Sequence, residues 1–156
     1  QVYDVRFVRE AVEVAVVRKA ALELPGSAIR ALRETVNAQR KVAQDERPDR
    51  FFPLDEAFHR GLALGVGCEY AWHVVEDMKA QMDRVRYLSL PEATPLSRLI
   101  DQHEAIVDAI AAHDPAGAEA AMRTHLSEIL TSLPELAERF PDLFEAEPAD
   151  RAETAA

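Results

Sequence analysis

The chain of 156 residues contains a single cysteine, Cys68. One thiol cannot form an internal disulfide, and it excludes the zinc modules that are built from several cysteines. A reducing, cytoplasmic setting is therefore expected. No apolar run approaches the roughly 20 residues that a membrane-spanning helix needs, and no signal-peptide pattern opens the chain. We expect no membrane partner.

Basic residues are also scarce. The chain has 18 Lys and Arg against 28 Asp and Glu, which gives a formal net charge of −10. The basic residues are scattered, whereas binding to nucleic-acid phosphates needs clustered Lys and Arg. This chain alone is therefore not expected to bind DNA.

The apolar residues recur at spacings of three and four, and no stretch alternates with period two for long enough to form a strand. The length predicts one domain with a hydrophobic core. Short connectors between helical stretches predict an all-α fold, an antiparallel bundle of six main helices. The expected helices are Val2 to Leu24, a second that is capped by Ser27 and ends near Asp45, Arg50 to the Gly65–Gly67 turn, Glu69 to Leu90, Leu96 to His113, and a sixth that is capped by Asp114, starts at Pro115 and ends near Leu133.

The bundle is expected to span residues 1–133, and residues 134–156 form a tail rich in proline, alanine and acidic residues. Its apolar residues Leu136, Phe140, Leu143 and Phe144 predict a short seventh helix that packs on the bundle. Beyond Glu147 the composition is typical of disorder.

One apolar helix face carries an unexpected pair of ionisable residues. Asp55 and His59 lie one turn apart on the face that also holds Phe51, Phe58 and Leu62. Such a pair in a core position is costly unless a partner compensates for the lost water.

Two later helices repeat this pattern. His103 lies at the centre of the stripe formed by Leu99, Ile100, Ile106, Val107 and Ile110, and His125 lies in the stripe formed by Ala118, Ala121, Met122, Ile129 and Leu133. A carboxylate and three imidazoles suit a divalent metal, with zinc the first choice and nickel, manganese or iron possible. The sequence therefore predicts a metal site at Asp55, His59, His103 and His125.

Each of these residues has an ordinary alternative. A single inward histidine is more often a hydrogen-bonded core residue than a ligand, and a single aspartate more often caps a helix or forms a salt bridge. The joint pattern favours the metal. His73 and His113 do not share the pattern. A di-iron centre is not expected, because Glu56 lies off the stripe and a second Glu-x-x-His is missing.

Several segments resemble the effector-binding domain of GntR-type transcription regulators of the FadR subfamily. They are Leu-Asp-Glu-Ala-Phe-His at 54–59, Gln-His-Glu-Ala-Ile-Val-Asp-Ala-Ile at 102–110 and the stretch at 118–126. Tyr-Asp-Val-Arg at 3–6 is similar to the first helix of that domain. The resemblance covers about residues 1–133.

The resemblance implies an all-helical domain that binds a metal and holds a small organic acid beside it, with the same four ligands. Family members join this domain to an N-terminal winged helix-turn-helix that binds operator DNA as a dimer. We expect that module to be missing from this chain. A homodimer is therefore expected, and operator DNA is a partner only through the missing domain.

A carboxylate effector needs a cationic partner besides the metal. Arg86, at the edge of the apolar stripe of the fourth helix, and Arg6, on the first helix, could each bind it in a bidentate manner. In the alternative, Arg6 pairs with Glu10 one turn later, and Arg86 is solvated.

Three functions follow from these patterns. The first is a ligand sensor that is not an enzyme, the effector domain of a transcription regulator. The second is a metal-dependent hydrolase, which would need a general base that is not a metal ligand, and no spare inward Asp or Glu is evident. The third is a metal-free helical interaction module whose histidines are core residues.

Overall fold

A computed structural model describes residues 2–45, 47–89 and 94–141. These residues form six helices and, within the described ranges, no strand. The all-α prediction is confirmed. The helices are α1 (Val2–Glu23), α2 (Gly26–Gln44), α3 (Pro48–Gly65), α4 (Glu69–Ser89), α5 (Leu96–Ala111) and α6 (Pro115–Arg139).

The predicted seventh helix is joined to the sixth. Helix α6 continues through Pro134 to Arg139 instead of ending near Leu133. Leu136, in this extension, is 2% exposed. The packing of this side chain on the bundle outweighs the tendency of Pro134 to end the helix. Leu143, Phe144 and the rest of the predicted tail beyond residue 141 lie outside the described residues.

Two helix starts differ from the prediction. Helix α2 begins at Gly26 after Pro25, and no side chain caps it, so the assignment of Ser27 as its N-cap is wrong. Helix α3 begins at Pro48, two residues earlier than expected. Proline fits this first turn because its fixed φ suits a helix and its missing N–H has no intrahelical partner there.

Two turn signals are confirmed. The side chain of Asp114 accepts a hydrogen bond of 2.9 Å from the backbone N–H of Gly117 at the start of α6. Gly67, just after α3, has φ +72°, the left-handed conformation that glycine adopts without strain. Gly67 thus lies in the turn between α3 and α4, and Asp114 in the turn between α5 and α6.

Replacing Asp114 by alanine should remove this cap and lower the free energy of unfolding by about 1 kcal/mol. The Asp114→Asn variant keeps a side-chain oxygen for the Gly117 N–H and should retain most of the stability. Thermal or urea denaturation of both variants measures the difference. Equal losses in the two variants would show that the hydrogen bond to the Gly117 N–H is not the source of the stabilisation.

The core lies between α1, α3, α5 and α6. Helix α1 packs along α6 and also touches α3, α4 and α5, while α2 packs against α3 and α5. Phe51, Phe58, Ile106 and Ile110 are fully buried at the centre of the bundle. This arrangement points the inner faces of α3, α5 and α6 at one another. None of the described helices has both the length and the apolar character to cross a membrane.

Candidate metal centre

The four predicted metal ligands meet inside the bundle. Asp55 and His59 come from α3, His103 from α5 and His125 from α6, and all four are buried. Each offers one ligand atom, and these atoms lie within 4.8 Å of one another. The spacing of Asp55 and His59 by one helical turn puts both on the same face, as the sequence pattern requires.

The Nε2 atoms of the three imidazoles and one carboxylate oxygen form the centre of this cluster. His125 Nε2 lies 3.2 Å from His103 Nε2 and 3.3 Å from His59 Nε2. Asp55 Oδ1 lies 3.3 Å from His103 Nε2 and 3.4 Å from His59 Nε2. Four electron-pair donors from three helices therefore point into one small space.

The other nitrogen of each ring has a separate oxygen partner. These partners come from α1, α2 and α5, so they connect the cluster to most of the bundle. His59 Nδ1 contacts Glu13 Oε1, His103 Nδ1 lies 2.8 Å from Gln39 Oε1, and His125 Nδ1 lies 3.0 Å from Gln102 Oε1.

The amide groups of the two glutamines fix the tautomers of two of the rings. Gln39 Nε2 donates to the carbonyl oxygen of Leu54 over 3.1 Å, and Gln102 Nε2 donates to Glu128 Oε2 over 2.8 Å. Each glutamine therefore presents its oxygen to the imidazole, and that oxygen can only accept. Since Nδ1 must then carry the proton, Nε2 of the neutral ring keeps its lone pair.

This set of donors fits a cation. Lone pairs on neighbouring Nε2 atoms and an ionised carboxylate repel one another unless something positive lies between them. A metal-bound histidine usually donates its second N–H to a carboxylate or an amide oxygen, which is the arrangement found at all three rings. Asp55, His59, His103 and His125 could thus hold a divalent ion, which would act as a Lewis acid toward a bound ligand.

Burial keeps two of the imidazoles neutral. It lowers the pKa of His103 to about 4, although the neighbouring Asp55 favours the charged form. Burial, together with the nearby His103 and His59, lowers the pKa of His125 well below its ordinary value. At pH 7 both rings are therefore in the form that binds a metal.

Aromatic packing holds the central ring. The ring of Phe58 lies 4.2 Å from that of His103 between centroids, with an angle of 22° between the planes. Phe51 stacks on His103 at 6.4 Å and 7°. Both phenylalanines are fully buried. This packing excludes water from one side of the site and limits rotation of the imidazole.

Two ion pairs adjoin the cluster. Glu13 lies between His59 and Arg9, whose Nη2 is 2.8 Å from Glu13 Oε2. Burial alone would raise the pKa of the Glu13 carboxyl, but Arg9 and His59 hold it well below its ordinary value. Lys79, from α4, places Nζ 2.8 Å from Asp55 Oδ2.

Sequence reasoning missed these neighbours. The expectation that no further acidic side chain points inward is wrong, because Glu13 is 4% exposed. Its contacts with His59 and Arg9 nevertheless leave it poorly suited to act as a general base. A signal was available for Lys79 and Gln39, since each interrupts an apolar stripe at helical spacing. The stripes are Trp72, Val75, Lys79 and Met82 on α4, and Leu32, Val36 and Gln39 on α2.

Of the two arginines predicted to bind an effector, the structure describes the side chain of Arg6, which does not contact the cluster. Arg6 forms the alternative pair with Glu10, at 2.6 Å between Nη2 and Oε2. Helix α4 includes position 86, but the side chain of Arg86 lies outside the part that the structure describes. His73 is exposed, and Nδ1 of His113 donates to the carbonyl oxygen of Ala21 over 3.1 Å, so neither takes part in the site.

A cavity lies next to the cluster, between α1, α3, α4 and α6. Glu13 and His59 form its polar wall, and Leu62, Trp72 and Met122 contribute to its apolar walls. Its volume is about 10 Å³, the space of a single water molecule, so a larger ligand would need these walls to move apart.

Comparison with known proteins identifies the family. A family model described as the FCD domain matches residues 4–128, most of the chain. The chain belongs to the FCD domain family. The resemblance stated from the sequence is thereby confirmed. The matched range includes all four residues of the candidate metal cluster.

Related proteins are named as transcriptional regulators. The HTH-type transcriptional repressor RspR of Escherichia coli (strain K12) is 36% identical over 147 residues, which are 94% of this chain and 64% of that protein. An uncharacterized HTH-type transcriptional regulator of Streptomyces ambofaciens is 35% identical over 149 residues, 96% of this chain and 62% of the relative. The chain thus spans just under two thirds of their length. These names agree with the expectation that the chain is not an enzyme.

A solved structure shares the fold. E. coli McbR/YncC superposes with a TM-score of 0.76 at 13% sequence identity, over 90% of this chain and 66% of that one. At this identity the likeness concerns the fold alone.

Proposed function

We propose that this FCD domain is the ligand-sensing part of a GntR-type transcription regulator and that it binds a divalent metal ion together with a small organic acid. The observation that carries the proposal is the convergence of three Nε2 atoms and Asp55 Oδ1. Two of these rings have tautomers fixed by glutamine amides, which directs their lone pairs inward. Zinc is the first candidate, with nickel, manganese or iron as alternatives.

The effector is proposed to bind beside His59, with its carboxylate toward the metal, where the cavity of about 10 Å³ would have to widen to admit it. Arg6 and Arg86 remain the proposed cationic partners. In support of Arg6, its Nε is buried and has no hydrogen-bond partner among the described residues. A carboxylate could take that donor if the pair between Arg6 and Glu10 opened.

The DNA-binding function is assigned to an N-terminal domain. The named relatives are HTH-type regulators and are longer than this chain, whose own net charge is −10. Effector binding would shift the regulator between forms with different affinity for operator DNA. A cytoplasmic location follows from this role.

A homodimer is part of the proposal. Tyr3 and Phe7 on α1 are 66% and 74% exposed, and Tyr70 on α4 is 82% exposed. Tyr3 and Phe7 lie one turn apart on the same face of α1, and adjacent exposed apolar side chains of this kind can form a patch that marks a protein interface. A second copy of the chain would cover them if the two protomers met through α1 and α4.

Elemental analysis after exhaustive dialysis tests the proposal, followed by calorimetric titration of zinc and then of small carboxylates. We expect one divalent ion per chain, and we expect carboxylates to bind the loaded chain but not the metal-free one. A folded chain that binds no metal and whose stability ignores zinc would favour the interaction module instead. Hydrolytic turnover that needs the bound ion would favour the hydrolase.

A further inference from the structure

Lys79 is a buried cation at the edge of the proposed metal site. Its side chain is 6% exposed and lies in the stripe of α4 that contains Trp72, Val75 and Met82. Nζ lies 2.8 Å from Asp55 Oδ2. Burying an ammonium group is costly unless it is paired, so this contact with Asp55 is one that the fold must maintain.

Because of this contact, the two carboxylate oxygens of Asp55 have different partners. Oδ1 faces the imidazoles, at 3.3 Å from His103 Nε2 and 3.4 Å from His59 Nε2. Oδ2 holds the ammonium group of Lys79. A carboxylate can bind a metal through one oxygen or through both, and here the second oxygen already has a cationic partner.

The charges around the cluster cancel before any metal binds. The carboxylates of Glu13 and Asp55 are matched by the side chains of Arg9 and Lys79, through contacts of 2.8 Å in each pair. The three imidazoles add no charge when neutral. The charges of these two ion pairs therefore sum to zero. A divalent ion bound at the cluster would keep both of its positive charges uncompensated.

We propose that Lys79 is a positioning residue that limits Asp55 to one metal-binding oxygen. An anionic ligand can then occupy the remaining coordination positions of the ion and compensate its charge. This inference rests on the proposed function, because it assumes that the cluster binds a metal. Lys79 thus makes the site weaker for the ion alone and more selective for the ion together with an anion.

Neutralising Lys79 should change metal affinity in the direction opposite to the loss that usually follows a mutation beside a metal site. Without the ammonium group, Oδ2 can approach the ion, the full charge of Asp55 acts on it, and the repulsion between Lys79 and the ion disappears. Metal affinity should therefore rise when Lys79 is neutralised, and affinity for an anion should fall. A lysine that only supported the fold would produce the opposite change in metal affinity, since a loosened site binds its ion less well.

The experiment compares Lys79→Met and Lys79→Gln with the unaltered chain. Glutamine keeps a donor for Oδ2 and protects the fold, while both variants lack the charge. Lys79→Arg keeps the charge, and Lys19→Met removes a surface lysine that pairs with Glu23 at 3.1 Å. Cobalt(II) is titrated alone, and azide is then titrated into the loaded chain as the anionic probe, with visible absorption reporting the coordination of cobalt.

In both neutral variants we expect cobalt to bind at least about tenfold more tightly and azide at least about tenfold more weakly. The Arg and Lys19 variants should match the unaltered chain. Unchanged or weaker cobalt binding by folded Lys79→Gln would overturn the role of Lys79. Loss of folding in that variant would also overturn it, because Lys79 would then be a structural residue. Failure of the unaltered chain to bind cobalt would instead overturn the proposed metal site itself.

Discussion

Replacing His103 by alanine should lower metal affinity by more than about 100-fold. Loss of a partner of a metal ligand alone costs roughly 10- to 100-fold, and His103 is proposed as a ligand itself. Its Nε2 is within 3.3 Å of both Asp55 Oδ1 and His125 Nε2. Removing the ring therefore takes away one of the four donors of the cluster. Calorimetric titration with zinc measures the loss.

The same variant should lose most of the stabilisation that metal provides. At a free metal concentration 1,000 times the dissociation constant, an ion that binds only the folded state stabilises it by about 4 kcal/mol. The unaltered chain should therefore melt at a markedly higher temperature with zinc than after chelation. The same zinc concentration should stabilise His103→Ala by about 1.4 kcal/mol or less if its affinity is at least about 100-fold lower. Comparing each protein with and without metal separates this effect from the loss of packing against Phe58.

His73→Ala is the control. His73 lies on α4, is exposed and is not part of the cluster, so its removal should change neither the affinity nor the metal-dependent melting. If His103→Ala bound zinc as tightly as the unaltered chain while remaining folded, the three imidazoles would not form the metal site. Their burial would then reflect hydrogen bonding within the core alone.

The centre of the site could be predicted because it depends on local periodicity. Asp55, His59, His103 and His125 each interrupt a clear apolar stripe, and a stripe shows which way a side chain points whatever the helix packs against. Their spatial convergence then requires only that three inward faces meet. The six helices were predictable for the same reason, since their apolar spacing and the turn at Gly67 are local features.

The surroundings of the site could not be predicted in the same way. Helix α1 is apolar on several sides, with Val8, Ala11, Val12, Val14, Ala15, Val16 and Val17 close together, so the sequence does not show which side faces inward. Glu13 becomes an inward residue only because α1 packs along α6 and turns that side toward His59. Which residue pairs with a buried charge depends on how two helices align with each other. The periodicity of one helix carries no information about that alignment.

The helix ends show another limit of local signals. Ser27 is a favourable N-cap residue, yet α2 starts one residue earlier, where Pro25 has the extended backbone that precedes a helix. At Pro134 the lost hydrogen bond predicts a break, but burial of Leu133 and Leu136 on the same side keeps α6 continuous. In both places packing or backbone geometry outweighs a preference of a few kcal/mol at most.

Replacing Glu13 by alanine should have the largest effect on stability. Glu13 is the buried partner of Arg9, and its carboxylate also accepts from His59 Nδ1. Removing one member of a buried ion pair typically costs 3–5 kcal/mol, because the remaining charge stays buried and uncompensated. Arg9 is 12% exposed, so some contact with water should place the loss near the lower end, at about 3 kcal/mol. Urea denaturation of the metal-free chain measures it.

Metal affinity should fall in the same variant. His59 loses the acceptor that orients its ring, a change that typically costs 10- to 100-fold. The uncompensated charge of Arg9 would in addition repel a cation. Glu13→Gln offers an amide oxygen to His59 without the charge, so its affinity should lie between those of the alanine variant and the unaltered chain. Zinc titration of the two folded variants gives the order.

Glu23→Ala serves as the matched control on the same helix. Glu23 pairs with Lys19 at the surface, 3.1 Å apart, and an exposed pair of this kind contributes less than about 1 kcal/mol. Its removal should leave metal affinity unchanged. If Glu13→Ala kept full affinity for zinc, Glu13 would not orient His59. Since neutralising Glu13 is expected to weaken metal binding and neutralising Lys79 to strengthen it, the two charges that flank the cluster make opposite contributions, and measuring both tests whether electrostatic balance governs the site.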